Sequence, residues 1–365
     1  MKIAIITPRF AIAGVPLAQI RFARALARRG HHVVLIVGYV DSEYKFPEVA
    51  DLEVELWNQP KVRGMLKPLM RYLRHEKPDV VFSAEDHLNT IILLAAVLTR
   101  SKAKISGSSR VTPFDTYSNV AFTKRWLLKQ AARALFWRAD ALTCVSMDMV
   151  EQYHRVFSSP PHVCVYNIVD DKASRLRMME TVEHPWARDK RYPLIVAAGR
   201  LAPWKGFTDL IHAVKTLSAR RNVRLLILGD GPLKPELQKL INELGMDKYI
   251  ELLGYVENPL KYFFHADAFV LSSLVEGMPN VLVEAMMCGC TPVSTDCPTG
   301  PRELLQEGKY GYLVPVHDPA AMAGAIEQAL DHPISKEVLA EAVNPFEEGA
   351  VINRHFEVLG VHECG

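Results

Sequence analysis

The stretch SSLVEGMPNVLVEAMMCGCTPVSTD (272–296) carries two carboxylates, Glu276 and Glu284, with seven residues between them. Gly277 and Pro279 follow the first, and an apolar run surrounds the second. An ionised carboxylate accepts several hydrogen bonds, enough to hold a pair of sugar hydroxyls. Upstream, AAGRLAPWKGF (197–207) sets two cations, Arg200 and Lys205, in a short loop behind an apolar run. Arg clamps phosphate oxygens with two parallel bonds and Lys adds a compact charge, so this pair suits a diphosphate. In LGDGPLKPELQ (228–238), Gly229 and Gly231 bracket Asp230 in a turn that any strand-to-helix junction could use. Taken alone, each of these groups could equally be a solvated surface feature.

The elements around them decide what they can do. AFVLSS (268–273) reads as a buried strand, LVEGMPN as its exit loop and VLVEAMMCG as a helix closed by Gly289. Glu276 then stands at a strand's carboxyl end, Asn280 is the expected N-cap, and Glu284 lies about one turn into the helix. The N–H groups around Val281 and Leu282 would face an anion or a sugar hydroxyl.

The same alternation runs through the chain. Apolar strands are expected at 2–8, 31–39, 79–84, 103–109, 141–146 and 162–167, then at 194–200, 223–231, 250–256, 268–273, 290–296 and 311–316. Amphipathic helical segments separate most of them, which implies α/β architecture with parallel sheets covered on both faces. The polar segment 170–193 reads as the connection between two doubly wound, Rossmann-like domains, 1–180 and 181–345. A final helix within about 346–365 is expected to pack back on the first. Ligands of such sheets bind beyond the carboxyl ends of the strands, here in a cleft expected between the domains.

GRLAPWKG, LGDGPL, LGYVEN (253–258), EGMPNVLVEAM and GPRELLQEGKYGYLVPV (300–316) together resemble the ordered signatures of glycosyltransferase family 4. The resemblance covers nearly all of 194–320; the first half is similar only in layout. It implies the GT-B fold, a retaining mechanism and a nucleotide-sugar donor. A UDP-sugar delivering a hexose or N-acetylhexosamine to a saccharide or lipid-linked acceptor is the favoured case, in cell-surface polysaccharide or glycolipid assembly. By the same resemblance Arg200 and Lys205 hold the diphosphate. Glu276, Gly277, Met278, Pro279 and Asn280 line the sugar. Val281, Leu282, Glu284 and Gly229 face the nucleotide, with Tyr255 and Val256 near its base.

Two departures concern the first domain. The first loop, FAIAGVPLA (10–18), keeps one glycine, Gly14, where the family has two. Arg110, in ISGSSRVTPFD (105–115), stands where the family often has a histidine; His87, in AEDHLNT (84–90), is a second candidate there. Either could face the acceptor.

Composition narrows the remaining classes. The chain has 365 residues, 49% hydrophobic and 23% charged, as for an ordinary globular protein. No apolar stretch of about eighteen residues occurs, and MKIAIITPRF turns polar too soon for a secretory signal, so a cytoplasmic location is expected, at the membrane's inner face if membrane-bound. Six cysteines without CxxC spacing read as small buried residues of a reducing compartment. Without a DxD motif, no metal and no cofactor is expected; the nucleotide sugar is substrate. Net charge is +2, yet 1–180 holds 26 Lys/Arg against 17 Asp/Glu. Basic-aromatic segments at 61–77 and 122–138 read as amphipathic helices on a sheet or as a surface for anionic lipid; no motif points to nucleic acid. The rivals are a non-catalytic sugar-nucleotide binder and a sugar-nucleotide epimerase or phosphorylase; a nicotinamide dehydrogenase would need a GxGxxG that is missing.

Overall fold

The computed structural model describes residues 1–11, 14–41, 46 and 51–362. It divides into two compact units, Met1–Ile168 with Glu348–Gly365, and Val169–Glu347. The division thus falls at 168/169, not 180/181. The stretch expected as a connection carries two short helices of the second unit, Lys172–Met178 and Pro185–Arg188.

Unit 1 holds strands β1 (Lys2–Thr7), β2 (His32–Val37), β3 (Glu53–Leu56), β4 (Val80–Ala84), β5 (Lys104–Ser109), β6 (Ala141–Cys144) and β7 (His162–Cys164). They form one parallel sheet in the order β3-β2-β1-β4-β5-β6-β7. The sequence did not suggest β3: EVEL alternates charge with apolar residues and lies at the sheet's edge, where burial on both faces is not required. Ile3, Ile5, Leu35 and Phe82 of the strands meet Phe22, Ala25 and Leu26 of the Gly14–Arg28 helix. The Glu348–Leu359 helix adds Val351, Ile352, Phe356 and Leu359 to the same core.

Unit 2 holds β8 (Leu194–Ala198), β9 (Arg224–Leu228), β10 (Ile250–Gly254), β11 (Ala268–Leu271), β12 (Thr291–Thr295) and β13 (Tyr312–Val314), parallel in the order β10-β9-β8-β11-β12-β13. Its core joins Ile195, Leu225 and Val270 to Leu210, Val214 and Ile326 of the covering helices. These are two Rossmann-like sheets, each reversing strand order once, between β1 and β4 and between β8 and β11. Cys144, Cys288, Cys290 and Cys297 are buried and free, and Cys164 is half-buried; Cys364 lies outside the described residues. No helix among the described residues is long and apolar enough to cross a membrane.

Candidate functional site

In unit 2 the loops leaving β8 and β11 rise side by side at the point where strand order reverses, the place where open α/β sheets gather ligand groups. Backbone contact laces them together. Gly206 has φ +62°, and a Cβ there would come within 2.0 Å of the Ser272 carbonyl oxygen, so only glycine fits. Leu274 N–H donates to Trp204 O at 2.8 Å, and the Ser272 hydroxyl donates to Lys205 O at 2.8 Å.

This lacing sets two sequence-predicted groups against each other. Lys205 Nζ lies 2.5 Å from Glu276 Oε1, with side chains 18% and 11% exposed. The same oxygen accepts from Ser273 Oγ at 2.5 Å. The Thr299 hydroxyl donates to the Glu276 carbonyl, and Glu276 N–H donates to Pro298 O at 3.3 Å. Lys205 therefore has its charge compensated by the carboxylate expected to hold a sugar. Arg200, at the exit of β8, is exposed and makes no ion pair among the described residues.

Gly277, Met278 and Pro279 are braced from behind. A Cβ on Gly300, at φ +94°, would sit 2.7 Å from Pro279 Cδ and 3.0 Å from Gly277 O. Ser273, Thr299 and Gly300 were not chosen from sequence. The available signal was a run of small polar residues directly after β11 and β12.

The helix that follows runs Asn280–Met287. Asn280 is its first residue rather than its cap. Pro279 holds the cap position, and no side chain caps the helix. Proline fixes φ and needs no donor there, so the turn forms without an Asn cap. Backbone carbonyls take up part of the first turn instead: Asn280 N–H donates to Met278 O and Leu282 N–H to Pro279 O, both at 2.9 Å. Gly289, at φ +77°, ends the helix as expected. Glu284 is half-buried. Burial, then the Glu284 carboxylate, pushes the Cys288 thiol up to about 12, with Arg175 opposing. Arg175 itself grips the buried Asp170, Nε to Oδ1 at 2.7 Å.

Gly229 serves packing. A Cβ there would meet Gly199 O at 2.0 Å, and its N–H donates to Gly254 O at 2.7 Å. Tyr255, 60% exposed, and Val256 line a cavity of about 490 Å³ with Arg177, Glu180, Asn258 and Tyr262. Asn258 Nδ2 donates to Arg177 O at 2.8 Å and Glu180 Oε2 at 2.7 Å, while its Oδ1 is buried without a partner.

In unit 1, Gly14 opens its helix, and nothing lies within 4 Å of a Cβ built there. His87 Nε2 stands 3.0 Å from Glu85 Oε2, and that hydrogen bond holds the imidazole above its usual pKa. Arg110 donates from Nη1 to Asn167 Oδ1; its Nε is buried without a partner, and burial lowers the guanidinium to about 10. Beneath them the buried Asp86 accepts from Ser109 Oγ at 2.8 Å and Tyr153 OH at 2.7 Å. Burial holds its carboxyl above the usual range. Among the described residues no cluster of His, Cys, Asp or Glu could hold a metal ion.

Two family models match the chain: "Glycosyl transferase 4-like domain" over 14–167 and "Glycosyl transferases group 1" over 192–332. An uncharacterized glycosyltransferase of Methanocaldococcus jannaschii is 30% identical over 301 residues, 73% of each chain. A Campylobacter jejuni N-acetylgalactosamine-N,N'-diacetylbacillosaminyl-diphospho-undecaprenol 4-alpha-N-acetylgalactosaminyltransferase is 29% identical over 308 residues, 82% of each. Among solved structures, Anabaena HepE in complex with UDP-glucose superposes with TM-score 0.77 at 17% identity, covering 99% of this chain and 100% of that one.

Proposed function

Because the chain belongs to the glycosyltransferases and has their GT-B architecture, we propose that it transfers a hexose or N-acetylhexosamine from a UDP-sugar, with retention of configuration. The acceptor is a saccharide or a lipid-linked saccharide in surface polysaccharide or glycolipid assembly, in keeping with the lipid-diphosphate substrate that the Campylobacter relative's name states. Unit 2 holds the donor and unit 1 the acceptor.

The observation that carries this reading is the Lys205–Glu276 pair at the β8/β11 switch point. In the reaction the sugar C1–O bond to phosphate breaks, and its electron pair stays on the diphosphate. The acceptor oxygen forms the new bond to C1 and its hydroxyl proton is released. Negative charge therefore grows on the diphosphate as the bond breaks. Lys205, the exposed Arg200 and the positive end of the Asn280–Met287 helix dipole supply fixed positive charge for it, without a metal. Removing one such positioned donor typically costs about 2.7–4 kcal/mol of barrier. Glu276 and the backbone 277–280 take the sugar hydroxyls, Glu284 takes the ribose, and the base lies by Tyr255 and Val256. His87, Arg110 and the open backbone at Gly14 face the acceptor.

Calorimetry with UDP, GDP and ADP, with and without EDTA, on the wild type and on Glu284→Ala, tests the donor half. One nucleotide should bind, unaffected by EDTA, and lose affinity in the variant. Folded protein that binds none of them refutes the assignment.

A further inference from the structure

Arg110 follows the last residue of β5, and the chain on either side of it is pinned. Ser108 O accepts from Glu85 N–H and from Asn89 Nδ2, each at 3.0 Å. Asn89 is set in turn by Ser83 Oγ, which donates to its Oδ1 at 2.7 Å. Ser109 pairs in register with Cys144 of β6, and its hydroxyl donates to the buried Asp86 at 2.8 Å. Beyond Arg110, Thr112 Oγ1 donates to Gln152 Oε1 at 2.7 Å. The backbone that carries Arg110 is therefore fixed before any ligand arrives.

The guanidinium on this platform lacks a counter-charge. Among the described residues it makes no ion pair, and its hydrogen bond runs from Nη1 to the neutral Asn167 Oδ1. Glu85 is near enough to act on it electrostatically, but Glu85 Oε2 lies 3.0 Å from His87 Nε2. Asp86 accepts from Ser109 and from Tyr153 OH. The Cys144 thiol and the His355 imidazole also lie within electrostatic reach. Burial pushes the thiol up and holds the imidazole near pKa 3, so neither carries charge at neutral pH.

A buried charge without a partner is costly. A brace for Asn167 would need one N–H, which a neutral side chain could supply. With Nη1 turned to Asn167, the edge that remains is Nε with Nη2, two parallel donors that match two oxygens of one anion. Other arginines of this chain have that edge filled: Arg175 sets Nε and Nη2 on Asp170, and Arg302 sets them on Asp296. In Arg110, Nε is buried without a partner, while the residue as a whole is partly exposed, so an anion can reach it from solvent.

We propose that the Nε–Nη2 edge of Arg110 is an oxyanion site and takes a phosphate or carboxylate group of the acceptor. The inference rests on the reading of unit 1 as the acceptor half and adds the acceptor's chemical class: it is anionic. The position suits a ligand, since Arg110 and Glu85 both stand at carboxyl ends of parallel strands. A neutral saccharide would leave the guanidinium unmatched.

The test is calorimetric titration of the full chain with inorganic phosphate and, separately, with acetate, at constant ionic strength. Wild type, Arg110→Gln and Arg110→Lys are compared. Wild type should bind at least one of the two anions, Arg110→Gln should bind it about tenfold more weakly, and Arg110→Lys should recover part of the loss. An anion held at Lys205 binds all three proteins alike, so the difference between them is the readout. Preference for phosphate means a phosphorylated acceptor and preference for acetate an acidic sugar; both uphold the site. UDP binding should not differ among the three. Its absence from all of them would refute the donor assignment and leave this inference standing. Without added anion, Arg110→Gln should melt no lower than wild type, because an unmatched charge has been removed. An arginine that only braces Asn167 predicts the reverse: a lower melting temperature in Arg110→Gln and equal anion binding throughout. That result, or wild type that binds neither anion better than Arg110→Gln does, overturns the proposal.

Discussion

Lys205 and Glu276 hold each other at 2.5 Å, and this makes their substitutions diverge. Lys205→Ala removes a cation from the developing diphosphate and should lower kcat by about a hundred- to a thousandfold. Glu276→Gln keeps a hydrogen-bond acceptor for Ser273 but frees the ammonium. If the carboxylate competes with the diphosphate for Lys205, this variant should bind the nucleoside diphosphate more tightly while turning over more slowly. Calorimetry beside steady-state kinetics reads both; weaker nucleotide binding would show that Glu276 orients Lys205 rather than competing for it. Gly206→Ala tests the lacing itself. Its Cβ would meet the Ser272 carbonyl at 2.0 Å from a φ of +62°, so we expect a stability loss of more than about 1 kcal/mol, seen as a lower denaturation midpoint.

At the scale of elements, much was readable from sequence and for a clear reason. Strands buried on both faces, such as KIAIIT and RLLIL, are continuous apolar runs that nothing else in the chain imitates. The exit loops of β8 and β11 were readable because both set charge at a strand's end, and the first adds a glycine at positive φ, Gly206. Other features lay beyond one-dimensional pattern. β3 carries no apolar run. Asn280 resembles a cap by type, but the proline before it takes the position. Thr299 and Ser273 matter through what they touch, the backbone and carboxylate of Glu276, and residue type alone does not specify a contact. The close approach of Gly229 to the Gly199 carbonyl is likewise a contact that residue type does not announce.

For the whole molecule, two buried histidines of unit 1 make folding sensitive to acid. His162, among Tyr153, Phe136 and Phe157, and His355, beside Phe22 and Phe82, are both held near pKa 3 by burial. Unfolding lets each return to the ordinary value of 6.5, so between pH 6.5 and about 3 the unfolded chain binds protons that the folded chain excludes. Stability should therefore fall as pH drops through that window, by about 1.4 kcal/mol per pH unit for each histidine. Urea midpoints for wild type and His162→Phe, measured against pH, should diverge below 6.5 with the variant less acid-sensitive; parallel curves would refute the account.

Unit 1 is assembled from both ends of the chain, and this has a consequence for the order of events at the ribosome. Val351, Ile352, Phe356 and Leu359 complete a core whose other members lie before residue 169. Unit 2, by contrast, closes on itself, with Val169 N–H donating to Phe346 O at 3.0 Å beside the Asp170–Glu347 bridge. Synthesis normally lets the first domain made fold first. Here the half translated last can finish first, while the half translated first waits with an open apolar face until residue 359 has emerged. A nonsense codon just past Glu347 would thus spare unit 2 and strand unit 1.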